Sequence, residues 1–168
     1  IHGDHTGGLW AILGENPNVT VVLPAIFPES FKEKVRSFGA KVVEINDPRE
    51  ILEDAYTTGV MFPVGEQALV LKTSKGLVVV TGCSHPGVVK IVERAENITG
   101  ENVYLVVGGF HLFGASEREV RAIAASLKKL GVQELMPCHC TGSRAERIFA
   151  EEFGPDYVEC GVGKIISW

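Results

Sequence analysis

The chain has 168 residues, 45% hydrophobic and 22% charged, with a formal net charge of −5, long enough for one domain with a sizeable core. That acidic balance excludes a general nucleic-acid binder, which carries a basic face, and no apolar run approaches about 20 residues, the length that spans a bilayer. Four cysteines make no disulfide scaffold at this length, and Cys138 and Cys140 flank a single residue; a reducing cytoplasm is the expected compartment.

The first stretch, "IHGDHTGGLW", gathers His2, Asp4 and His5 ahead of two glycines. A short helical pattern follows at 8–13, then a strand at Thr20–Pro24, a helix at 29–38 and a strand at Lys41–Ile45. Strands at 67–73 and 77–82 flank "SKG", a hairpin turn, so part of the sheet is antiparallel. A helix is expected at 87–97 and a β-branched strand at Val103–Gly109. The helix at 117–130 opens on a capping box, Ser116 with Glu119, and stops at Gly131. A strand at 134–137 leads into "PCHCTG", after which a second capping box, Ser143 with Glu146, opens a helix through Phe153. Strand and helix alternate throughout, the pattern of a layered α/β fold. No repeat, low-complexity tract or linker interrupts it, and residues 1–168 read as one domain.

All five histidines fall outside those elements. His2 and His5 lie in the opening segment, and His85, His111 and His139 each follow a strand and precede a helix. Strand ends are where distant side chains converge in α/β folds, and neutral imidazole with a carboxylate is a common ligand set for Zn, Fe and other transition ions. The competing reading of "HGDH" is a polar loop in which Asp4 caps the following helix. Cys83, Cys138 and Cys140, beside those histidines, read as small buried residues with thiolate ligation as the alternative. Cys160 reads as a core residue on a strand.

The segment "HGDHTGG" resembles the His-x-His-x-Asp-His motif of the metallo-β-lactamase superfamily, with its first histidine falling just before Ile1. With "TGCSHPG", "VVGGFHL" and "PCHCTG", the chain is similar to a subgroup of metal-dependent hydrolases and of synthases that join a dihydropterin to ribofuranosylaminobenzene phosphate. The resemblance runs from Ile1 to about Gly163. It implies an αβ/βα sandwich of four layers, here the C-terminal part without its N-terminal strands, holding a dinuclear site. It places His2 and His85 at one ion and Asp4, His5 and His139 at the other. The position where many relatives carry a bridging Asp is occupied by Cys83 or His85. The expected cofactors are two divalent ions, zinc first, with manganese or iron as alternatives.

Such a site activates water and stabilises developing negative charge. The expected catalytic residues are Asp4, orienting the water, and His111, able to protonate a leaving group. Thr141, Ser143 and Arg144 at a helix start favour an anion, so the expected partner is a small phosphorylated or otherwise anionic substrate, with neither nucleic acid nor membrane. The function expected is therefore a metal-dependent hydrolase. A pterin-linked transferase is the alternative, and a non-catalytic metal-binding sensor is the reading from another class.

Overall fold

The computed structural model describes residues 1–167. The chain divides into two compact units, Ile1–Asp47 and Pro48–Trp168. No helix among the described residues is long and apolar enough to cross a membrane.

The first unit is a βαβ arrangement preceded by two helical segments. A single helical turn, α1 (Gly3–Thr6), forms over the "GDHT" of the opening, its start closed by His5 N–H and Thr6 N–H donating to His2 C=O, both at 3.1 Å. Helix α2 (Leu9–Glu15) follows, then β1 (Thr20–Pro24), α3 (Glu29–Ser37) and β2 (Lys41–Ile45). The strands pair in parallel from Thr20↔Lys41 to Pro24↔Ile45, as a helical crossover requires. Leu13, Val35 and Ala40 form the buried centre, with Trp10, Phe31 and Phe38 packed around them. Lys32, only 5% exposed, is satisfied by Ala25 C=O at 2.8 Å and Glu44 Oε2 at 2.6 Å. A buried ammonium without such partners would be costly.

The second unit holds one six-stranded sheet in the order β3 (Arg49–Leu52), β4 (Ala55–Thr57), β5 (Leu69–Thr73), β6 (Gly76–Thr81), β7 (Val103–Gly109), β8 (Glu134–Cys138). The first four are antiparallel neighbours, and β6, β7 and β8 run parallel. The hairpin expected at "SKG" closes with Thr73 opposite Gly76. The parallel strands are linked by α4 (Val88–Thr99) and α5 (Glu117–Lys129), and α6 (Ser143–Phe153) follows β8. One core joins Val79, Val106 and Leu135 of the sheet to Ile91, Val92, Ala124, Leu127, Ile148 and Phe149 of these helices, so all three helices cover the same face. The other face carries Val78, Leu105 and Met136, with Val158, Cys160 and Ile166 of the last segment packed on it.

The capping box at α5 is present in both halves. Ser116 Oγ accepts from Glu119 N–H at 3.4 Å, and Glu119 Oε2 accepts from Ser116 N–H at 2.8 Å. The box expected at Ser143 does not form: Gly142 stands at the N-cap with φ 86°, and no side chain caps α6. Nor does Asp4 cap α2, whose N-cap is Gly8. Cys160 lies outside any strand.

Candidate metal centre

Parallel register decides where the chemistry gathers. Thr81 pairs with Gly108, and Gly109 with Cys138, so the C-terminal ends of β6, β7 and β8 lie side by side. Just past each end a non-glycine residue adopts a left-handed backbone: Ser84 at φ 60°, His111 at φ 52° and His139 at φ 55°. Such conformations cost about 1–3 kcal/mol each and persist where the surroundings over-determine them. At Ser84 hydrogen bonds around Gly109 supply that determination. Gly109 C=O accepts from Ser84 Oγ at 2.6 Å and from Thr81 Oγ1 at 3.1 Å, while Gly109 N–H donates to Gly82 C=O at 2.9 Å.

Gly109 itself must be glycine on contact grounds. A Cβ there would stand 2.7 Å from Cys140 Sγ and 3.2 Å from His139 Cδ2, besides striking Gly82 C=O. That close approach brings the loops after β6, β7 and β8 to one point.

His85 is half-buried, and Glu66 holds it. Glu66 Oε1 accepts from His85 N–H at 3.1 Å, and Nδ1 lies 2.6 Å from Oε2. An ionised carboxylate only accepts, so this contact favours, in the neutral ring, the tautomer with the proton on Nδ1 and the lone pair on Nε2, the one a metal-ligating histidine takes. The His85 and His111 rings pack with centroids 4.3 Å apart. Glu66 was not read from the sequence: it lies 19 residues before His85 and belongs to no motif.

Cys83, His111 and Cys140 each place a ligand atom within 4.8 Å of the others. Cys83 is buried, Cys140 half-buried and His111 exposed. Two sulfurs and an imidazole nitrogen are donors suited to a borderline-soft divalent ion such as zinc, so the residues present fit a metal. Cys138 is of another kind. Burial, followed by a hydrogen bond with Cys160, pushes its thiol up to about 11, which keeps it protonated and apolar in character. This gives Cys160 a polar partner that the sequence reading lacked.

In the first unit, His2 at the N-cap of α1 and Asp4 and His5 within it are exposed, with Asp4 Oδ2 3.4 Å from His5 Nε2. Of the residues expected to bind an anion, Ser143 and Arg144 are exposed at the start of α6. Thr141 is fully buried, and its hydroxyl accepts from Phe110 N–H at 3.0 Å and donates to Cys138 C=O at 2.7 Å. Its role is to tie the loop after β8 to the end of β7.

No protein-family model matches the chain. It is 34% identical, over 213 aligned positions, to the 7,8-dihydropterin-6-methyl-4-(β-D-ribofuranosyl)-aminobenzene-5′-phosphate synthase of Methanocaldococcus jannaschii, covering 99% of this chain and 72% of that protein. An uncharacterized protein of the same organism is 35% identical over 94 residues, 56% of this chain and 34% of that one. Among solved structures, a metal-dependent hydrolase of the β-lactamase superfamily superposes with a TM-score of 0.76 at 28% identity, over 90% of this chain and 72% of the other.

Proposed function

Because the chain belongs to the metallo-β-lactamase superfamily, in the family of that synthase, we propose that it is a metal-dependent enzyme of the hydrolase type acting on a small anionic substrate. The observation that carries this is the Glu66–His85 pair at the end of β6. There a carboxylate fixes an imidazole in the tautomer that presents Nε2 to a cation.

The ligands proposed for the ions are His2, Asp4, His5, His85 and His139. A bound divalent ion supplies Lewis acidity toward a carbonyl or phosphoryl oxygen. The chain's own residues do the rest. Asp4 is proposed to orient the water. His111, exposed and packed at a tilt against His85, is the proposed donor to a leaving group, a task suited to an imidazole near neutral pH. Arg144, exposed at the first turn of α6, adds positive charge where helix amides already favour an anion.

A second reading is favoured by the 34% identity to a synthase along nearly the whole chain. The enzyme would then join a dihydropterin to a ribofuranosylaminobenzene phosphate, and the same groups would stabilise a leaving group in place of activating water. The test is metal analysis of the purified full-length protein, followed by turnover assays. Phosphate esters and diesters are one set; a dihydropterin with an activated 6-methyl group plus the aminobenzene riboside phosphate is the other. Bound metal with ester hydrolysis supports the first reading, and coupling without hydrolysis supports the second. A protein that takes up no divalent ion sinks both.

A further inference from the structure

We propose that Phe113 is a specificity-determining residue, a platform on which the substrate lays a planar ring. The inference rests on the reading of a small anionic substrate and adds the shape of the part that carries the charge.

Three large apolar side chains of the second unit stand exposed on two loops. Phe62 at 67% and Val64 at 47% share one, and Phe113 at 88% lies on the other. Single exposed apolar residues are ordinary, whereas grouped ones mark a binding surface. These three are grouped about His85. Met61 and Glu66 form an antiparallel bridge, so Phe62 and Val64 lie in the turn whose Glu66 holds His85 at 2.6 Å. Phe113 comes two residues after His111, whose ring centroid is 4.3 Å from that of His85.

Phe113 is exposed but not loose. Its neighbour Leu112 packs against the core, and Leu112 C=O accepts from Ala115 N–H at 2.9 Å, which closes the turn. On its other flank stands Gly142, the N-cap of α6. A Cβ there would meet Phe113 Cα at 3.2 Å and Cδ2 at 3.3 Å, so the glycine lets the phenyl rest directly on backbone. A braced aromatic ring loses little freedom when a ligand covers it, which is what an anchor for recognition requires.

Position decides the ligand. Phe113 joins two parts of the site, because it adjoins His111 in the chain and touches the start of α6. At that start no side chain caps the helix, and free amides with Arg144 favour an anion. A substrate reaching from there to the His85–His111 pair passes the phenyl. Aromatic rings gain from offset or edge-to-face contact beyond the area they bury, so a flat ring is favoured over a saturated one of similar size.

Titration calorimetry of the full-length, zinc-supplied protein tests this with three phosphonates, which resist hydrolysis: phenyl, cyclohexyl and methyl. The parent is expected to bind phenylphosphonate about 2–10-fold more tightly than cyclohexylphosphonate. Phe113→Ala is expected to bring that ratio to about one while leaving methylphosphonate affinity unchanged, which also reports an intact fold. Phe113→Tyr keeps the preference, as does Leu52→Ala, an exposed apolar residue on β3 at the far edge of the sheet. A parent without the preference, a Phe113→Ala protein that keeps it, or binding of none of the three overturns the proposal. Ester turnover with the same ratio in both proteins leaves the hydrolase reading standing and removes the platform. A ratio that collapses in a protein hydrolysing no ester does the reverse.

Discussion

Glu66 grips His85 twice, through the backbone N–H at 3.1 Å and through Nδ1 at 2.6 Å. Both ends of the residue are thereby held, so its main chain cannot drift and its ring cannot rotate. Carboxylates in this position typically contribute 10–100-fold to metal affinity. Glu66→Ala is expected to weaken divalent-ion binding by about that factor, measured by competition with a chromophoric chelator. Glu66→Asp, one methylene shorter, restores part of it. Unchanged affinity with only a lower melting temperature would make Glu66 a structural residue.

Gly109→Ala is expected to be among the most damaging small changes in the second unit. The added methyl would meet Cys140 Sγ at 2.7 Å and His139 Cδ2 at 3.2 Å, and Gly82 C=O as well. Overpacking of this kind costs about 1–3 kcal/mol. Chemical denaturation reads the loss. Gly87→Ala is the comparison: it has a positive φ and nothing within 4 Å, so it is expected to lose stability through backbone strain alone.

Thr141→Val removes a hydroxyl while keeping shape. Phe110 N–H, buried, then has no Oγ1 to meet, while Cys138 C=O loses one of its two donors and keeps the Thr141 N–H at 3.0 Å. An unsatisfied buried group costs about 1–3 kcal/mol, so urea denaturation is expected to show a loss of that size. Thr141→Ser is expected to retain most of the stability. A Thr141→Val protein as stable as the parent would show that water replaces the hydroxyl.

Glu96 on α4 gives a pH-dependent signature. Its Oε1 is buried and has no hydrogen-bond partner among the described residues. Burial raises its pKa above 4.5, against a hydrogen bond from Val103 N–H that lowers it. A raised folded-state pKa means the favourable contribution is complete below 4.5 and disappears as pH climbs through the folded value. Glu96→Gln is therefore expected to raise stability at neutral pH, with the gain shrinking toward zero in acid. Thermal melts of both proteins from pH 4 to pH 8 would show it, and a gain that stays constant with pH contradicts it.

Much of the second unit was legible because β-branched runs such as "LVVVT" and "VYLVV" have no comfortable alternative to a strand, and because "SKG" leaves only a hairpin between two of them. The strands β3 and β4 were not. Arg49–Leu52 carries two charges, and Ala55–Thr57 is three residues long, so neither shows a period. They are joined through Asp54 at φ 57°. The turn α1 was read as a loop because Gly3 and Gly7 disfavour helix. At the site, histidines after strand ends were readable from position alone. Glu66 was not, since its partner is brought near only by the sheet. The capping box at Ser143 failed for a local reason. Gly142 takes φ 86° and ψ 138°, and a Cβ there would meet Phe113 Cα at 3.2 Å. The chain thus enters α6 one residue earlier than the hydroxyl motif suggests.

Ser84, His111 and His139 share a left-handed backbone, and this restricts what evolution or a designer can put there. Histidine, asparagine and aspartate visit that region several times more often than other non-glycine residues, and β-branched side chains scarcely at all. A single exchange of His139 for Asp or Asn thus leaves the loop intact while trading a nitrogen donor for an oxygen. Divergence toward a different ion is open at this proposed ligand through one codon change, and it needs no rebuilding of the strands beneath.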